Sequence, residues 1–271
     1  MTDPTRRHIV LISGGKDSTA LALYLKDTRP EIDPEYLFCD THKELPETYE
    51  YLVRIEAYLG KPITRLQSGL GERGFDHWLK VYGDYLPAPS MRWCTKKLKI
   101  EPFEQHVGDD PVNLYVGIRA DERREGYVST KPNITPVFPF KEDGITRADV
   151  LRILDESGVG LPSYYEWRTR SGCYFCFFQR KNEWVGLKER HPDLFENAQG
   201  YEKPNEGFTW GRNESLIQLA MPERVAEIRR GEEERKAQAA RRRRPRNLAE
   251  AFGVSVDADP DEEIGCLICH L

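Results

Sequence analysis

Six consecutive residues near the start of the chain, Ser13-Gly14-Gly15-Lys16-Asp17-Ser18, combine the groups that an oxyanion needs. Two glycines let the backbone curl so that successive N–H groups face one point. Lys16 adds a full positive charge, and Ser13 and Ser18 add hydroxyl donors. Between a strand and a helix, such a turn also gains the partial positive charge of the helix N-terminus. Asp17 repels a bare phosphate, so its expected part is to orient the loop or to help hold Mg²⁺. The segment lacks the Gly-x-x-x-x-Gly-Lys-Ser/Thr spacing of a Walker A loop. The alternative is a plain glycine-rich turn capped by an aspartate.

The cysteines form a second set. Cys173-x-x-Cys176 has chelate spacing, and Gly172 lets the backbone approach a bound ion. Cys94 lies among Lys96, Lys97 and Lys99, which favour a thiolate. Thiolates at Cys94, Cys173 and Cys176 could hold an iron–sulfur cluster or a zinc ion. The aromatic residues Trp167, Tyr174, Phe175, Phe177 and Phe178 flank the pair and are expected to pack around a cluster. Cys39 reads as a small buried residue. Cys266-x-x-Cys269 could carry sulfur, dock a partner or supply a ligand. Arg119, Arg123 and Arg124 follow a strand end, where open α/β sheets place ligands. Arg119 is the expected phosphate or sulfate contact, with Lys97 and Arg170 behind it.

The elements that position these residues are legible in the pattern. Ile9–Ile12 is a short β-branched run stopped by Ser13-Gly14-Gly15, as a buried parallel strand would be. A helix is expected from Asp17 to Lys26. Further strands are expected at Tyr36–Cys39, Ile63–Leu66 and Leu114–Ile118. Helices are expected from Pro46 to Leu59, with proline in the first turn, and from Thr146 to Ser157, capped by Thr146. Short apolar strands alternating with helices predict a doubly wound α/β fold with a mostly parallel sheet.

The bulk numbers exclude some classes. The 271 residues are 39% hydrophobic and 31% charged, with a formal net charge of −5. No stretch approaches the roughly 20 apolar residues of a membrane-spanning helix, and Ile9–Ile12 is too short for a secretory leader. A cytoplasmic protein with reduced thiols and no membrane partner is expected. Between Pro222 and Asn247, ten Lys or Arg stand against five Glu, and Arg241–Arg244 form an unbroken run. The expected division is therefore residues 1–220 as the globular part and 221–271 as a basic helix with an acidic, cysteine-bearing tail. The basic segment could contact DNA phosphates.

The chain resembles a known family. Ser13–Ser18 is similar to the PP-loop of the ATP-pyrophosphatase and PAPS-reductase superfamily. Asp40-Thr41-His42-Lys43-Glu44-Leu45-Pro46-Glu47-Thr48 resembles that superfamily's Thr-Gly-x-x-x-Pro-Glu-Thr segment, with His42 in place of glycine. Trp93 to Pro102 resembles its cysteine-and-lysine segment. Gly117-Ile118-Arg119-Ala120-Asp121-Glu122 resembles a later turn, and Tyr164-Tyr165-Glu166 followed by Thr169-Arg170-Ser171-Gly172-Cys173-Tyr174-Phe175-Cys176 resembles a further element.

The resemblance implies an adenine-nucleotide-binding α/β domain that takes MgATP at Ser13, Gly14, Gly15, Lys16, Asp17, Ser18, Asp40 and Arg119. Lys16, Asp17 and Arg119 would be its catalytic groups. It favours a [4Fe-4S] cluster at the three cysteines, with zinc as the alternative. It implies an ATP pyrophosphatase in a sulfur-transfer pathway, nearest to the DNA-phosphorothioation proteins of the Dnd and Ssp types. A cysteine desulfurase or another sulfur donor would be the partner, and a homo-oligomer is expected. The alternatives it leaves are a PAPS or APS reductase and a tRNA-thiolating enzyme. Reductases of this kind end in a Glu-Cys-Gly-Leu-His-type segment, which Gly265–Leu271 echoes only in part.

Overall fold

The computed structural model of the chain describes residues 6–69, 74–123, 131–211 and 213–242. The described residues of Met1–Cys173 form one compact unit, and those of Tyr174–Pro260 form another.

The first unit is built on five parallel strands in the order β3-β2-β1-β4-β5. These are β1 (Arg7–Leu11), β2 (Glu35–Cys39), β3 (Ile63–Leu66), β4 (Val112–Tyr115) and β5 (Ile134–Val137). The central strand β1 pairs with β2 through Ile9 opposite Glu35, and with β4 through Ile9 opposite Leu114. Ile9, Leu37 and Leu114 are wholly buried, as strands covered on both faces must be. Helices α1 (Lys16–Thr28), α2 (Pro46–Leu59) and α3 (Arg147–Glu156) cover one face, where Leu21, Leu25, Tyr51, Ile55 and Val150 share a core with Val10 and Ile12. The other face packs Ile9, Leu11 and Leu114 against Phe103 and Val107 of the helical segment Glu101–Val107. This is the doubly wound α/β architecture that the strand–helix alternation foretells.

In this strand order the chain turns one way from β1 to β2 and the other way from β1 to β4. That reversal leaves a crevice beyond the carboxyl ends of β1 and β4, which is where open α/β sheets bind ligands. The Ser13–Ser18 loop leaves β1 there and the Gly117–Glu122 turn leaves β4 there. Two differences from the sequence expectation are physical. β4 ends at Tyr115 rather than Ile118, because after the Val116 amide bonds Val137 the chain turns back, Ile118 N–H donating to the Val116 carbonyl. β5 escaped notice because it is a four-residue edge strand with Pro136 inside it.

The second unit is helical. Its core is aromatic: Phe175 stacks on Trp210 at 4.9 Å between ring centroids and meets Tyr174 and Tyr201 edge-on. Trp184, from α4 (Lys181–Arg190), closes the group. The long helix α5 (Pro222–Arg242) ends the described chain. No described helix is long and apolar enough to cross a membrane.

Candidate functional site around the phosphate loop

The loop is formed by backbone choices that only certain residues tolerate. Gly14 adopts φ +73°, in the left-handed region, and a Cβ on it would stand 2.7 Å from Cγ2 of Thr48. A Cβ on Gly15 would stand 2.7 Å from the hydroxyl of Ser171. Within the loop, Ser18 Oγ accepts from the Ser13 amide at 3.0 Å, and the Ser13 and Ser18 hydroxyls lie 3.0 Å apart. Gly15, in extended conformation, precedes α1, so α1 presents its unsatisfied N–H groups at the loop.

Beneath the loop lies a buried ionic cluster. Lys16 Nζ is 2.7 Å from Asp17 Oδ2, and Arg119 Nη1 is 2.7 Å from Asp17 Oδ1. Arg119 also meets Asp121 at 3.0 Å and Glu122 at 2.9 Å. Lys16, Asp17 and Arg119 are 6%, 3% and 2% exposed, so the cluster sits where Coulomb attraction is weakly screened and a lost partner is costly. Asp17 is therefore a bridge across the switch point, tying α1 to the turn after β4. Gly117 allows this approach, since a Cβ there would come 2.9 Å from the Asp17 carbonyl oxygen. The structure thus brings Ser13 to Ser18 and Arg119 together, with the Arg119 guanidinium on three carboxylates rather than open to solvent.

Asp40 follows β2, with its backbone N–H bonded to Leu66. Its Oδ1 accepts from the His42 amide at 2.9 Å and from the Tyr49 hydroxyl at 2.8 Å. His42 has φ 57°, the left-handed conformation in which a glycine is at ease. The substitution noted in the sequence thus sits at a position that suits glycine. Burial and the Asp40 carboxylate push the Tyr49 phenol up, so it stays a donor.

The residues from Tyr164 to Cys173 brace this side of the loop, a role that their resemblance to a family element does not reveal. Tyr164 donates to the Gly14 carbonyl at 2.6 Å, and its burial keeps its phenol protonated. Tyr165 Oη accepts from the Lys16 amide at 3.1 Å. Ser171 Oγ lies 3.3 Å from Ser13 Oγ. Arg168, 1% exposed, donates to the carbonyls of Gly172 at 3.0 Å and Cys173 at 2.8 Å, while its Nε has no partner. The only sequence signal for Arg168 was its place beside the Arg-Ser-Gly-Cys motif.

The thiols of the expected ligand set lie on separate elements. Cys173 Sγ lies 3.2 Å from Thr41 Oγ1 and 3.7 Å from Glu44 Oε1. Cys94 lies in the helical turn Trp93–Thr95, which runs through a π turn at Lys96–Ile100 into Glu101–Val107. Lys97 pairs with Glu101 at 2.7 Å and lies over the Trp78 ring. Cys176 belongs to the second unit. Among the described residues no three His, Cys, Asp or Glu side chains are grouped as a metal site. The nearby aromatics Tyr174 and Phe175 serve the core of the second unit instead. Burial pushes the Cys39 thiol up to about 11, so it is chemically quiet at neutral pH. Arg123 is exposed. Arg124, the side chains of Arg241–Arg244, Cys266 and Cys269 lie outside the described residues.

Residues 7–176 match the model of the phosphoadenosine phosphosulfate reductase domain. The chain belongs to this family. The matched span contains the loop, the ionic cluster and the brace. An uncharacterised protein of Methanocaldococcus jannaschii is 30% identical over 221 residues, which cover 74% of this chain and 44% of that protein. A second protein of that organism is 23% identical and again covered to 44% of its length. An uncharacterised nin region protein of Escherichia phage lambda is 28% identical over 47% of this chain and 52% of its own. The chain spans less than half the length of the two archaeal relatives. Among solved structures, the PAPS reductase from Candida auris in its phosphate complex aligns with a TM-score of 0.49 and 17% identity, over 64% of this chain and 82% of that one.

Proposed function

We propose that this member of the PAPS reductase family binds an adenine nucleotide by its phosphates at Ser13–Ser18 and is an ATP pyrophosphatase of a sulfur-transfer pathway. The observation that carries the reading is the loop itself: curled glycine backbone, the start of a 13-residue helix, and Lys16 and Arg119 joined through Asp17 directly beneath. On this reading the loop amides and the Ser13 and Ser18 hydroxyls hold the phosphate oxygens. Lys16 offsets the charge that develops as the bond between the α- and β-phosphates breaks. Arg119 and Asp17 keep Lys16 and the helix start in place, so little reorganisation is needed at the moment of reaction. An acceptor oxygen takes the adenylyl group and pyrophosphate leaves; sulfur from a desulfurase or another donor then displaces AMP. Because Asp17, Asp121 and Glu122 all lie on Arg119, the magnesium ion is assigned to the substrate, arriving as MgATP.

For the acceptor, the resemblance to phosphorothioation proteins points to DNA. The test is incubation with labelled ATP: pyrophosphate release supports the reading, and none under any acceptor condition overturns it. A reductase acting on PAPS is the second reading. It is favoured by Cys173, a thiol two residues from Ser171, whose hydroxyl touches the loop. Sulfite release from PAPS would establish that reading instead.

A further inference from the structure

The brace meets the phosphate loop at three points, and one of them differs in kind. The Tyr164 contact falls on the Gly14 carbonyl and the Ser171 contact on the Ser13 hydroxyl, neither of them an orphan helix-start donor. The Tyr165 contact instead falls on the amide of Lys16, the first residue of α1. No intrahelical carbonyl can reach that N–H, and such donors are the ones that oxyanions take at helix starts. The two tyrosine rings stack at 5.0 Å, yet Tyr164 is wholly buried and Tyr165 only half-buried. Tyr164 is thus fixed by its surroundings, while Tyr165 has solvent on one side. A further polar atom beside the loop is left unsatisfied: Thr48 Oγ1 is buried without a partner, on the side chain whose methyl packs against Gly14. A buried hydroxyl left in this way favours arrival of a ligand that completes its bonding.

We propose that the Tyr165 phenol occupies the place of a ligand oxyanion on the Lys16 amide, and that a phosphate or sulfate group displaces it on binding. The inference rests on the nucleotide reading of the loop and adds a built-in competitor to it. Tyr165 then sets the affinity threshold: a ligand must replace a hydrogen bond that the protein already makes to itself. No covalent change is involved; one acceptor oxygen is exchanged for another.

The full chain and its Tyr165→Phe variant test this in two ways. Calorimetry with inorganic pyrophosphate should show the variant binding about fivefold tighter, the weight of one net hydrogen bond. Equal or weaker binding by the variant overturns the proposal. Hydrogen exchange of the Lys16 amide, read without ligand, should be faster in the variant, and an unchanged rate overturns the proposal as well. Tyr164→Phe should not tighten pyrophosphate binding; if it does, the effect is not specific to the Lys16 amide and the proposal falls. If wild type and variant both fail to bind pyrophosphate, ATP and PAPS, the nucleotide reading fails, while the exchange rate still decides whether Tyr165 guards the amide.

Discussion

The phosphate loop and the C-terminal helix α5 are both dense in charge, and they handle it in opposite ways. Around the loop, Lys16, Asp17 and Arg119 are nearly out of contact with water, and Asp17 is shared between the two cations. On α5, Arg224 pairs with Glu214 and Glu227, Arg229 with Glu189, and Arg235 with Glu232, at 27%, 40% and 42% side-chain exposure. The basic surplus of the sequence is largely cancelled in this described part of the helix. Buried ion pairs constrain geometry because breaking one strands a charge; exposed pairs are screened and contribute little. Charge density alone therefore does not say how charge is held; at the sheet's switch point it is buried and shared, and on α5 it is paired in solvent.

The largest effect that sharpens this contrast is catalytic. Lys16→Ala should lower pyrophosphate release at least about 100-fold, the scale on which removal of one electrostatic stabiliser acts, with little change in the circular dichroism spectrum. Retained turnover would remove Lys16 from the mechanism. Next is stability. Arg119→Met leaves Asp17, Asp121 and Glu122 without their shared cation and should cost about 3–5 kcal/mol in urea unfolding. A loss below about 1 kcal/mol would show that the cluster is solvated like the helix pairs. Gly117→Ala should cost about 1–3 kcal/mol, because its methyl meets the Asp17 carbonyl and must push α1 away from the turn.

The smallest effect belongs to α5. Glu232→Gln should change stability by less than about 1 kcal/mol at pH 7. The Arg235 partner lowers the Glu232 pKa below its ordinary 4.5. That contribution is therefore present above pH 4.5 and is lost as the pH falls through the lowered native value. Unfolding midpoints of wild type and Glu232→Gln should converge in acid; a gap that widens there would reverse the sign.

Much of the fold could be read from the chain. β1, β2 and β4 carry buried apolar runs, β3 buries only Ile63 and Leu66, and the helices that follow β1 and β2 begin where glycine or proline places them. Thr146 does cap α3, with Asp149 accepting from its amide at 3.0 Å and its hydroxyl at 2.7 Å. The loop residues were legible because glycine, lysine and serine at that spacing serve few other purposes. What escaped was long-range. Asp17 looked like a loop-orienting residue or magnesium ligand, but its partner Arg119 is 102 positions away. Tyr164 stands in a family-like segment and Arg168 beside one, but only the fold lays them against Gly14 and Cys173. Cysteine spacing likewise carries no information on the contacts of Cys173 with Thr41 and Glu44, which come from another part of the chain.

Isothermal titration of the full chain with MgATP, and separately with PAPS, tests the central claim most directly. Saturable binding of at least one of them near one ligand per chain, lost in Lys16→Ala, is the predicted result. Absence of binding heat for both at several temperatures would contradict it.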